Sequence, residues 1–156
     1  MRKFAKYHAL GNDYILLDPE YFTEHLTESD ISRMCDRHFG LGSDGVLFGP
    51  LAPSQDDSAA LCRLQIFNPD GSEAEKSGNG LRIFCRYLWD SGRVGVESFY
   101  LETEGGIVEC RVLDAGREVE VEMGCADFRS TAIPVEGAER EVLNESISSA
   151  GRNSAR

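Results

Sequence analysis

The sequence predicts an α+β fold in which an antiparallel sheet curls around one enclosed central helix. Two observations predict it. Strand-like runs lie before and after a single long helical stretch, GNGLRIFCRYLWDS, from Gly78 to Ser91, and beyond it the pattern changes to period two. That stretch carries Leu81, Ile83, Phe84, Cys85, Tyr87, Leu88 and Trp89 around most of its circumference, with Arg82, Arg86 and Asp90 as a single polar stripe. A helix that is apolar on nearly all sides is enclosed by the rest of its fold, and strands on either side of it are the material for that enclosure.

The other elements follow in chain order. Lys3 to Ala9 and Asp13 to Asp18 read as short strands joined by LGN, a turn signal. TESDISRMCDRHFG reads as an amphipathic helix. Thr27 caps it, Asp30 takes the capping-box position, Ile31, Met34, Cys35 and His38 share a face, and Gly40 is the expected stop. FGLGSDGVLFGPL is a glycine-rich loop running into a strand, APSQDDSA is a polar loop, and ALCRLQIF is another strand. NPDGSE has Pro69 at the second position of a tight turn and Gly71 at the fourth. Gly92 closes the central helix. SFYLETE, GIVECRVL and EVEVEMG then alternate as strands, separated by GG and DAG turns.

After Asp127 this order is lost. Residues 1–127 are expected to form one domain, and 128–156 the start of an incomplete second domain and a polar tail. GAEREVLNE reads as a strand or a helical turn. SISSAGRNSAR is small and polar, has nothing to bury, and is expected to be disordered.

Composition narrows the function classes. A chain of 156 residues makes one ordinary domain, or one and part of another. Its 41% apolar and 28% charged residues are those of a soluble globular protein. A formal net charge of -11 argues against nucleic acid as a partner, because such binders concentrate Lys and Arg. No apolar run approaches the ~20 residues of a bilayer span, and the basic start MRKFAKYHALGND lacks the apolar core of a signal peptide. The cysteines, Cys35, Cys62, Cys85, Cys110 and Cys125, are odd in number and widely spaced, without zinc-site spacing. Reduced thiols in a cytoplasmic protein follow.

The chemistry concentrates at SGNG, Ser77 to Gly80, ahead of the central helix. A helix N-terminus offers unsatisfied N–H groups and the positive end of its dipole, and glycines let a ligand reach the backbone. SGNG is therefore either a cradle for a carboxylate or phosphate, or a pair of ordinary caps. It lacks the lysine and spacing of a P-loop and the plan of a dinucleotide motif.

HALGNDYILLD, DRHFGLGSDGVL and IFNPDGSEAEKSGNGLRIFCRYL occur in that order. The set resembles the diaminopimelate epimerase family, the cofactor-independent amino-acid epimerases of bacterial lysine and cell-wall synthesis, from Met1 to about Pro134. The resemblance implies that Asn12 and Asn68 contact the substrate and that Gly78 and Asn79 bind its α-carboxylate. It implies a free diamino dicarboxylic acid as substrate, with no metal and no cofactor. Family members invert the α-carbon with two cysteines, one from each of two similar domains, acting on opposite faces. A thiol suits that work because a helix N-terminus lowers its pKa from about 8.5.

Two departures shape the expectation for this chain. Ser77 stands where the family pattern has the first catalytic cysteine, and a serine hydroxyl is a far weaker acid. None of the three histidines adjoins it in sequence, although His8 could approach in the fold. Cys85 lies eight residues on, about 12 Å along the helix axis, too far to replace it. The family's C-terminal domain, with its own cysteine and the strand that returns to complete the first domain, has no counterpart here. The expected protein is thus a truncated epimerase homologue, inactive alone, with a small amino acid as its ligand and a homodimer as one open assembly. The other reading is a non-catalytic small-carboxylate binding module, or a structural half that depends on a partner.

Overall fold

Asn12–Leu17, a strand of six residues, is buried on both faces from Tyr14 onward and organises what surrounds it. The computed structural model describes residues 3–55 and 58–146. Contacts divide the chain into a first unit ending at Met123 and a second beginning at Gly124. In the first unit the elements run β1 Ala5–Ala9, β2 Asn12–Leu17, α1 Glu28–Cys35, β3 Val46–Leu51, β4 Cys62–Phe67, α2 Gly78–Asp90, β5 Phe99–Thr103, β6 Gly106–Leu113 and β7 Glu118–Val121.

The seven strands form one sheet in chain order, β1 to β7. It is mixed, which corrects the antiparallel expectation: β2 pairs parallel with β3, and β4 with β5, while the remaining neighbours are antiparallel. The reason lies in the connections. Parallel neighbours need a crossover, usually helical, and α1 lies between β2 and β3 as α2 does between β4 and β5.

The two helices take opposite faces of the sheet. Alternate residues of β2 point to different partners: Tyr14 and Leu16 join the cluster built on α2, and Ile15 and Leu17 join Ile31 and Cys35 of α1. Leu81, Phe84 and Leu88 of α2 are fully buried. Because α2 packs against β1 and β7, the two ends of the strand order, the sheet curls over it. Its polar stripe reaches solvent, with Asp90 exposed and Arg82 and Arg86 half-buried.

Helix α1 starts where the sequence says it should. Thr27 accepts from the backbone N–H of Asp30, and the Asp30 carboxylate accepts from the N–H of Thr27. It ends earlier than expected, at Cys35, which leaves His38 exposed and off the helix. Asp36 intervenes: its carboxylate accepts the N–H groups of His38 and Phe39 and turns the chain out of the helix. Gly40 has another role. A Cβ there would lie 1.9 Å from the carbonyl oxygen of Arg33, so the loop can pass this close only at a glycine.

Helix α2 closes as predicted. Gly92, in the left-handed region at φ 71°, donates to the carbonyl of Trp89, and Arg93 donates to that of Leu88. This pair of bonds is a Schellman motif. The NPDGSE turn closes with Gly71 donating to the carbonyl of Asn68 at 2.9 Å. In the second unit, GAEREVLNE provides neither regular strand nor helix; Glu141 makes an isolated bridge with Arg129. The tail expected from Ile147 lies outside the described residues.

Phe84→Ala is expected to cost about 3–5 kcal/mol, because the ring is wholly enclosed and its neighbours cannot collapse into the space. Phe39→Ala, at a side chain 95% exposed, is expected to leave stability unchanged. Urea denaturation of both variants gives the comparison.

Candidate functional site

Ser77 is the N-cap of α2. Its backbone is extended, and its Oγ accepts the N–H of Gly80 at 3.0 Å while its carbonyl accepts that of Leu81. The N–H groups of Gly78 and Asn79 have no hydrogen-bond partner among the described residues. The first turn of α2 contains no acidic residue, whereas that of α1 contains Glu28 and Asp30. The positive end of α1 is answered by its own carboxylates, and that of α2 is left for something else. Arg82 adds to the positive potential. Its guanidinium folds back over Gly78, 3.0 Å from the place a Cβ would occupy.

The second partner of the Ser77 hydroxyl is the Tyr14 hydroxyl, at 3.1 Å. Tyr14 reaches it from β2 by crossing Gly45, where a Cβ would sit 2.6 Å from the ring. Neither partner of Ser77 is a carboxylate or an imidazole. His8 is exposed on β1 and makes no hydrogen bond to Ser77. Cys85 is buried in the core, and a hydrogen bond with Cys110, reinforced by burial, pushes its thiol far above the ordinary range.

A polar network reaches the head of α2 from the opposite side. Asn79 Nδ2 lies 3.5 Å from Asn12 Oδ1, and Asn12 Nδ2 donates to Asp44 at 3.0 Å. Asp44 also accepts the backbone N–H of Asp13, and Arg37 bridges Asp13 and Asp44 at 2.7 Å to each. Lys6 completes the cluster, 3.0 Å from Asp13. Hydrogen bonding from Asn12, the Asp13 N–H and Arg37 holds the Asp44 carboxyl below its usual range. Arg37, with Lys6 behind it, likewise holds the Asp13 carboxyl well below its usual range.

The structure therefore brings Asn12, Ser77, Gly78 and Asn79 to one end of the sheet. Asn68 follows β4 at that same end, opposite the start of β3, but its side chain donates to Ser72 within its own turn. No hydrogen bond joins it to the other four among the described residues. Sequence reasoning missed Tyr14 and Asp44. Asp44 had a visible signal, an acid between glycines in GSDG; Tyr14 had none, because it reads as one more apolar residue of its strand. Among the described residues no group of three His, Cys, Asp or Glu is arranged to hold a metal ion, and no helix is long and apolar enough to cross a membrane.

A curled mixed sheet with a helix on each face is an α+β fold. Two solved structures share it. A hydroxyproline epimerase from Agrobacterium vitis superposes with a TM-score of 0.54 at 16% identity, over 72% of this chain and 38% of that one. A probable proline racemase from Agrobacterium radiobacter K84 does so with a TM-score of 0.54 at 17% identity, over 76% and 40%. Sequence decides the family. Residues 4–129 match the family model for diaminopimelate epimerase. Diaminopimelate epimerase 2 of a Nostoc species is 57% identical over 93% of this chain and 50% of its own length. Diaminopimelate epimerase of Pelotomaculum thermopropionicum is 40% identical over 95% and 53%. The chain belongs to the diaminopimelate epimerase family, and it spans about half the length of these curated relatives.

The lowered pKa of Asp13 and of Asp44 has a consequence for stability with a definite sign. Carboxyls held below their unfolded pKa near 4 stabilise the fold above that pH and lose the effect as pH falls through the folded value. Asp13→Asn is expected to lower the urea midpoint at pH 7. The gap to the unaltered chain should narrow only below about pH 4, and added salt should shrink it, since Arg37 is half exposed.

Proposed function

We propose that this chain supplies the carboxylate-holding half of a cofactor-independent amino-acid epimerase of the diaminopimelate class, and that Ser77 positions the ligand rather than abstracting its α-proton. One observation carries the reading: the Ser77 hydroxyl is held between the Gly80 N–H and Tyr14, with no base beside it. A serine needs an adjacent base to become reactive. The unpaired N–H groups of Gly78 and Asn79 take the α-carboxylate, aided by the helix dipole and Arg82. Asn12 and Asn79 contact the rest of the α-centre, and Asn68 reaches the ligand from its turn. The same reading takes α2 as the enclosed centre of the domain, in line with the burial of Leu81, Phe84 and Leu88.

Inversion at an α-carbon needs a proton removed from one face and another delivered to the opposite face. In family terms each face belongs to a cysteine of a different domain, and this chain spans about half the length of its relatives. With serine on its own face, the chain contributes binding and orientation, and the strong base comes from elsewhere. A non-catalytic carboxylate-binding module is the second reading, and the same Ser77 environment favours it. Free thiols, four of the five buried, suit a reducing compartment such as the cytoplasm.

The test is proton NMR of LL-diaminopimelate in deuterated solvent with the full chain. Saturable binding with the α-hydrogen retained is the expected result. Loss of that hydrogen overturns the positioning role of Ser77, and absence of binding overturns the carboxylate site. In a parallel titration, Asn79→Asp puts a second negative charge beside the place the ligand's carboxylate takes and is expected to weaken affinity roughly tenfold.

A further inference from the structure

We infer that Asp44 is a positioning residue that makes the site selective for an ammonium group beside the carboxylate; this rests on the proposed function and names a determinant within that site. An ionised carboxylate can only accept hydrogen bonds. Asp44 Oδ2 faces the Asn12 side chain at 3.0 Å and accepts the Asp13 N–H at 3.1 Å, while Oδ1 is taken by Arg37 at 2.7 Å. The Asn12 amide must therefore turn its NH2 to Asp44. Its Oδ1 is left pointing toward Asn79 and the head of α2.

That orientation matters because of what surrounds it. The backbone N–H groups of Gly78 and Asn79, the Asn79 amide NH2 and the Arg82 guanidinium are all donors, and they suit a carboxylate. Asn12 Oδ1 is an acceptor beside them. It has two lone pairs, and its contact with Asn79 is long at 3.5 Å, so it retains capacity for another donor. A carbon bearing both a carboxylate and an ammonium matches this pairing, and a plain carboxylic acid leaves the acceptor unmet. Rotating the amide by half a turn would present NH2 to the ammonium instead. Asp44 prevents the rotation. The Asn12 amide, the Asp13 N–H and Arg37 hold the Asp44 carboxyl below its usual range, so the lock persists across the neutral range.

The experiment compares the affinity of the full chain for diaminopimelate with that for pimelate, the same carbon chain without amino groups. Asp44→Asn can donate or accept, so it releases the Asn12 amide. The ratio of the two affinities is expected to fall about tenfold, the effect of one charge-assisted hydrogen bond, with pimelate binding retained. Arg37→Gln removes the charge from Oδ1 and leaves the Oδ2 contact with Asn12. It is expected to lower the urea midpoint yet keep the ratio. If both variants lose both acids alike, or Asp44→Asn keeps the ratio, the role assigned to Asp44 is overturned. Failure of the unaltered chain to bind either acid would instead overturn the proposed function, and the Asp44 role with it.

Discussion

Burial of β2 on both faces is the constraint from which the rest of the first unit follows. An apolar run with no exposed face needs cover above and below. Ile15 and Leu17 can be covered only if a helix returns over one face, which makes the link to β3 a crossover and its pairing parallel. Tyr14 and Leu16 need a second helix on the other face, and α2 fills that place. Asn12 and Asp13 begin this strand, and Tyr14 reaches from it to Ser77. The core and the site thus share one strand, and the side chain that joins them is an aromatic ring with a polar tip.

A protein with a net charge of -11 must clear carboxylates from any place where it holds an anion. Here the clearing is local and specific. The first turn of α2 has no acid, although α1 uses two in the same position. The nearby Asp13 and Asp44 are offset by Lys6 and Arg37, so their charge is spent within the cluster. These pairs are partly exposed, so each adds a modest, salt-sensitive increment to stability. Their larger effect is on orientation, because they fix which end of an amide faces inward.

What could be read from the sequence was what local chemistry determines. The Thr27 capping box, the NPDGSE turn, the Gly92 stop and the bare backbone at Ser77 to Gly80 each depend on a few adjacent residues, and each is found where expected. Strand direction is different. Period two marks a strand without saying which way its neighbour runs, and the antiparallel reading failed at the two places where a helix intervenes. Gly40 was misread for a related reason: a glycine needed to pass Arg33 looks the same in sequence as one that ends a helix. The partners of Ser77 and Asn12 lie 63 and 32 residues away. No spacing rule reaches that far, and only the fold brings Tyr14 and Asp44 into view.

The strand order carries a consequence for how such a unit is made. Each strand lies beside the one synthesised just before it, so the sheet can grow from one side as the chain leaves the ribosome. No strand waits for a distant partner, and each closure spans one connection, keeping its entropic cost low. Vectorial assembly of this kind brings β1 to β3 and α1 out of the ribosome ahead of α2. Tyr14 is then in place for Ser77 when the second helix arrives.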